Sequence, residues 1–190
     1  MKRIVPVALL VLAVSGQGNA QSRASLDEQS LFKQFLAICD TTDADAALAE
    51  SKARSVGFQK TPGAYAPKAV VPNIRQSNSL WKIFEDKVII LTTGRAPVAG
   101  IQVDADVCVL ASTPGTQGDV AAFRRWAEVP GTTSPAGNSY FYRQSAGPHQ
   151  SMAATNPAAI QSAVLAGETR VAFYASNDEH TTFILFRPKP

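Results

Sequence analysis

The chain has 190 residues, 45% of them hydrophobic and 17% charged, with a formal net charge of +3. No run of like charges occurs, so the composition offers no case for nucleic acid or an anionic lipid surface as a partner. It also holds only two cysteines and two histidines, which limits metal and thiol chemistry from the outset.

The first twenty residues read MKRIVPVALLVLAVSGQGNA. Lys2 and Arg3 give a positive start, Ile4 to Val14 form an apolar run, and Gly18 and Ala20 supply the small-x-small pattern of a cleavage site. This predicts a secretory signal peptide over residues 1–20, cut between Ala20 and Gln21. The apolar run is shorter than the ~20 residues a spanning helix needs, and no later segment approaches that length. No cysteine follows the cut to carry a lipid anchor. Cleavage removes two of the basic residues and lowers the net charge from +3 to +1. Residues 21–190 are then expected to fold as one exported domain, periplasmic or extracellular, with no membrane insertion.

Two cysteines in an oxidising compartment favour a Cys39–Cys108 disulfide over a catalytic thiol or two free buried thiols. Closing a loop of that length stabilises a fold by roughly 4 kcal/mol in the chain-entropy account.

Ser25-Leu26-Asp27-Glu28 fits a capping box. Phe32, Phe35, Leu36 and Cys39 follow at helical spacing and predict an apolar stripe that Cys39 closes. Asp40-Thr41 reads as a short turn. Thr42-Asp43-Ala44-Asp45 opens a second, alanine-rich helix, ending at Gly57 with Phe58 packed behind it. Lys60 to Ser79, with Pro62, Gly63, Pro67 and Pro72, predicts an irregular surface connection. Leu80–Phe84 and Lys87–Leu91 flank Glu85-Asp86 as a hairpin. Ile101, Val103, Ala105, Val107 and Val109 alternate with polar residues and predict a half-buried third strand. Cys108 has the opposite parity, alongside Asp104 and Asp106. The bridge therefore requires either a bulge before Cys108 or helices covering that face.

Thr116 to Ala127 predicts a helix with Val120, Phe123 and Ala127 inward and Arg124-Arg125 outward. Turn chemistry fills Glu128 to Gly137, an aromatic-rich strand spans Ser139 to Gln144, and Ser145 to Thr155 reads as another loop or irregular edge. Asn156-Pro157 opens a helix that Gly167 ends. Arg170–Ala175 and His180–Phe186 form a hairpin around Ser176-Asn177-Asp178-Glu179. The whole predicts an α+β fold. Its N-terminal helical hairpin packs on a largely antiparallel sheet of about six strands, with one or two further helices.

Chemistry-bearing patterns are sparse. His149 in GPHQS and His180 in DEHTT lack metal-ligand spacing, and His180 reads as a hairpin-loop residue. Asp104 and Asp106 give one DxD on a strand face that is expected to be solvated, too few oxygens for a cation site. A glycosidase pair would need a cleft of sugar-stacking aromatics that the sequence does not locate. TTGRAPVAG lacks the residues of a phosphate loop. Arg95 and Arg143 are candidate contacts for an anionic ligand. Trp81 and Trp126 read as core or edge anchors. Cys39 lies on an apolar stripe where a thiol is inert, and no CxxC motif supports redox exchange. The loop 145–151 holds Ser145, His149 and Ser151, and a small hydrolase would use His149 as base with either serine as nucleophile.

FLAICDTTDADAALAESKARSVGF carries a helix ending in Cys39, a capped alanine-rich helix from Thr42 and Asp45 to Gly57-Phe58, and Cys108 follows in a later strand. This pattern resembles small exported two-cysteine proteins of Gram-negative bacteria that have no established activity. The resemblance covers about half the chain and implies the disulfide and a single domain, with no catalytic residues. The leading functional expectation is a non-enzymatic binding module for a protein or small molecule, without a cofactor, and the alternative is the 145–151 hydrolase.

Overall fold

The structure is a computed structural model, and it describes residues 30–62, 71, 73–84, 86–98, 103–115, 117–127, 131–134, 137–143, 149–152 and 155–189. The expected signal peptide, the Ser25–Glu28 box, Gln144 and Ser145 lie outside these residues, as do residues 63–70 and 72 of the proline-containing connection.

The elements in chain order begin with helix α1 (Leu31–Phe35), continued by a π-helical turn (Leu36–Asp40), and helix α2 (Ala46–Ser55). Strands β1 (Gln59–Lys60), β2 (Arg75–Phe84), β3 (Lys87–Pro97) and β4 (Asp104–Thr113) follow. Then come α3 (Gln117–Ala127), β5 (Thr132–Ser134), β6 (Gly137–Arg143), β7 (Gln150–Ser151), α4 (Pro157–Leu165), β8 (Thr169–Ser176) and β9 (Thr181–Pro188). Among the described residues the strands form one sheet of nine in the order β1-β2-β3-β4-β9-β8-β6-β5, with β7 also on β6. Every pairing is antiparallel.

The sheet is thus larger than the expected six strands. The extra ones, β1, β5 and β7, are two or three residues long. They pair through the backbone at a sheet edge, which needs no apolar alternation and so leaves no periodic signal. β2 also begins at Arg75, inside the segment read as irregular, with a register shift between Arg75 and Asn78.

The caps explain where the helices start. Ser30 is the N-cap of α1, its Oγ accepting from Lys33 N at 3.3 Å. The acidic partner comes from far along the chain. Ser30 Oγ donates to Asp119 at 2.5 Å, and Leu31 N and Phe32 N donate to the same carboxylate at 3.2 and 3.3 Å. Helix α3 thus closes the end of α1. Helix α2 starts at Asp45, whose Oδ1 accepts from Leu48 N at 3.1 Å, rather than at Thr42. Thr42 instead donates to Ile38 O at 2.5 Å, and Asp43 and Ala44 turn the chain at φ 51° and 56°. The expected end of α2 is present: Gly57 has φ 94°, and Phe58 N donates back to Ala53 O at 3.0 Å.

The β4 pairings with β3 and β9 run without a shift from end to end. No bulge reorients Cys108. Of the two ways to bury it, helix cover is the one adopted: α1, α2 and α3 pack on the face bearing Cys108, Leu110, Phe183 and Leu185. Six rings surround Phe123 there, Phe183 lying parallel to it at 4.8 Å. The opposite face carries a second cluster built on Val107, Val109, Val171, Ile184 and Phe186. Val71 and Val98, from the connecting segments, are buried against it. β4 is therefore buried on both sides rather than half-buried, and the connection read as superficial contributes to the core.

Candidate functional site

The turn between α1 and α2 is fixed to the sheet by one covalent bond and an ionic seam. The π-helical turn donates from Thr41 N to Leu36 O at 3.0 Å, and this wider winding aims Ile38 and Cys39 together at the strands. Cys39 and Cys108 are bonded at 2.08 Å with their Cα atoms 5.5 Å apart, and both are fully buried. Arg170 grips Asp43 with two hydrogen bonds of 2.5 and 2.7 Å. Arg187 donates to both Asp45, at 3.3 Å, and Asp106. Lys189 Nζ lies 2.8 Å and Arg95 Nε 3.7 Å from Asp106.

Asp106 is only 7% exposed, so the DxD face is not solvated as expected. Three cations surround its carboxylate, which leaves it no charge to offer a metal ion. Asp104 instead pairs with exposed Arg75. Among the described residues no group of three or more potential metal ligands occurs. Hydrogen bonding to Leu48 N, and then to Arg187, holds Asp45 below the ordinary carboxylate range.

A second group forms where α3 ends near β6 and β7. The His149 ring stacks on Tyr142 at a centroid distance of 4.1 Å and meets Trp126 edge-on at 4.9 Å. Its Nδ1 is 3.2 Å from Ala127 O. A carbonyl only accepts, so Nδ1 carries the proton and Nε2 is the acceptor in the neutral ring. Tyr142 is fully buried, and burial followed by the charge of Asp40 pushes its phenol far up, which keeps it neutral. Burial also raises Asp40 above the usual carboxylate range, while His149 and the Trp126 indole pull it back.

This assignment carries a pH prediction. A carboxyl with a raised folded pKa binds its proton more tightly in the folded state. Its stabilising contribution is present at acid pH and is lost as pH rises through that pKa. Asp40→Asn, which never ionises, is expected to stabilise the protein at neutral pH with a gain that vanishes on acidification. Urea midpoints at two pH values measure it. A variant less stable at neutral pH would mean that His149 and Trp126 outweigh desolvation.

A third feature is a groove of about 370 Å³ between α1, the end of α2 and β2, lined by Lys33, Gln34, Ala37, Ile38, Ser55, Val56 and Lys82. Ile38 is fully buried, whereas Val56 is 40% exposed. Lys82 Nζ donates to Val56 O at 2.8 Å, and its stem passes over Gly57, 3.8 Å from where a Cβ would stand. A more open cavity of about 490 Å³ lies beside Asn73, Ile74, Arg75, Pro97 and Asp104.

The residues singled out from the sequence fall apart in space. Cys39 and Cys108 meet. Arg95 belongs to the ionic seam, whereas Arg143 ends β6 and its side chain lies outside the described set. Ser151 is exposed and paired with Tyr142 across β6–β7, which puts both side chains on one face. His180 closes the β8–β9 loop, its Nδ1 2.9 Å from Thr113 Oγ1, while Asn177 Oδ1 accepts from Glu179 N and His180 N. Trp126 packs on the core and Trp81 is half-buried in β2. Sequence reasoning missed Asp40 and the groove lysines, because Lys33 and Lys82 are 49 positions apart. No helix among the described residues is long and apolar enough to cross a membrane. No protein-family model, curated protein or solved structure matches the chain.

Proposed function

We propose that the protein is an exported, non-enzymatic binding domain braced by its disulfide. The observation that carries this reading is the use made of His149, the one base in the loop nominated for hydrolysis. Its ring is stacked on buried Tyr142 and anchored through Nδ1 to Ala127 O, contacts that support a packing role. Export is supported by the start of the sequence and by a buried disulfide, a bond that persists in oxidising compartments. The resemblance to exported two-cysteine proteins of Gram-negative bacteria agrees with this placement.

One observation favours the hydrolase instead. Asp40 lies close enough to His149 to be influenced by its charge, and Ser151 shares the face of Tyr142. His149→Phe separates the two readings, since it keeps a ring in the stack and removes the base. With p-nitrophenyl butyrate, the binding-domain reading expects no turnover above buffer from wild type or variant. Saturable turnover that His149→Phe abolishes while the fold is retained establishes the hydrolase and ends that reading.

A further inference from the structure

One end of the sheet sets two arginines side by side. Arg75 of β2 and Arg95 of β3 are direct cross-strand partners, so both side chains stand on the same face. Like charges so placed are destabilising. Both side chains are more than half exposed. Arg75 donates one N–H to Asp104, out of the five that a guanidinium carries. Arg95 is held more loosely. It faces Asp106, whose Oδ2 is taken by Arg187 and Lys189 and whose Oδ1 lies 3.7 Å from Arg95 Nε, beyond hydrogen-bond reach. The undescribed residues that adjoin these strands in sequence, 63–70, 72 and 99–102, contain Lys68 and no acid.

The backbone is shaped around this pair. Between Arg75 and Asn78 the register shifts, so that β2 carries an extra residue against β3. Asn73 and Gln76, on either side of Arg75, have φ 62° and 50°, a conformation that costs residues other than glycine. Opposite the bulge, a Cβ on Gly94 would stand 2.8 Å from Arg75 O and 3.0 Å from Ile74 Cγ1, so only glycine lets the bulged strand close on β3. Bulges re-aim side chains. This one places Arg75 on the wall of the cavity of about 490 Å³, with Ile74, Pro97 and Asp104 also in its lining. That volume is the scale of a small-molecule site.

These features narrow the occupant. Each planar guanidinium matches one carboxylate through paired N–H donors, and two such forks are present. A monocarboxylate would engage one and leave the other unmet. An inorganic anion would leave the carbon of Ile74 and Pro97 uncovered, so burial would contribute no affinity. We propose that this cavity binds a small dicarboxylate, with one carboxylate on Arg95 and the other on the remaining N–H groups of Arg75. Its short carbon chain lies against Ile74 and Pro97. The proposal rests on the binding-domain reading and gives that reading a ligand class.

Titration of the purified protein with sodium glutarate at low ionic strength, followed by NMR shifts of the amides and of the arginine Nε–H groups, tests it. Saturable shifts are expected to cluster at residues 73–76, 94–97 and 104–106. Butyrate, with a single carboxylate, is expected to bind about tenfold more weakly, and glycerol phosphate, with its charge on one group, more weakly than glutarate. Arg95→Gln weakens glutarate by about tenfold, as does Arg75→Gln, and added salt weakens the wild-type complex. Arg95 makes no hydrogen bond among the described residues, so its variant keeps the fold, which far-UV circular dichroism confirms. That variant decides the matter if Arg75→Gln does not fold. Absence of saturable shifts, shifts centred elsewhere, equal or tighter binding of either control, or unchanged affinity in Arg95→Gln overturns the proposal. Such a failure without ester turnover removes the ligand class and leaves the binding domain standing. Turnover lost in His149→Phe removes the binding-domain reading whatever glutarate does.

Discussion

Replacing Cys39 and Cys108 together by alanine is expected to lower unfolding free energy by about 4 kcal/mol, the entropy of closing so long a loop. The bond spans 69 positions and ties the π-helical turn to β4, a central strand of the sheet. The loss acts mainly on the unfolded chain, which gains conformations, while the buried alanines still fill most of the site. Urea unfolding of both forms at one pH measures it. A difference below about 1 kcal/mol would show that the α1–α2 turn is held as well by the ion pairs as by the bond. Reduction should be slow without denaturant, because both sulfurs are fully buried and the reductant must wait for the chain to open.

Phe123→Ala is expected to cost about 3–5 kcal/mol, the range for truncating a buried ring. Phe123 is fully buried and touches rings from every layer on the helical side: Phe32 and Phe35 of α1, Trp126 of its own helix, and Tyr140, Tyr174 and Phe183 of three strands. A void there loses aromatic contacts worth about 0.5–1.5 kcal/mol each beyond area, and the neighbours cannot collapse because strands hold three of them. The near-UV dichroism of the cluster should fall together with the urea midpoint. A loss under about 1 kcal/mol would mean the rings repack, and the cluster would not be the keystone of the helical layer.

Different parts of this architecture were legible to different degrees. Helix α3 and the β2–β3 and β8–β9 hairpins follow from periodicity, and the ends of α2 and α4 from Gly57, Asn156, Pro157 and Gly167, because each signal lies within a few residues of the backbone it governs. The start of α1 was not legible. Its acidic cap is Asp119, 89 positions from Ser30, and no local window contains both. The same distance in sequence hid the candidate groove, which α1, α2 and β2 line jointly.

Asp106 and Cys108 state the division most clearly. Alternation along β4 set which residues share a face, and that held. It could not say whether the face met water or protein, because an amphipathic period records only that the two sides of a strand differ. The sequence by itself determined the two cysteines, several of the sites where helices begin and end, and the parity of β4. Tertiary structure alone decided that both faces of β4 are covered, that the acidic turn of Asp43 and Asp45 meets Arg170 and Arg187, and that His149 lies against Tyr142. The reason is physical: burial and charge pairing are settled by groups brought together from distant positions, whereas caps, turns and parity are settled by each residue and its near neighbours.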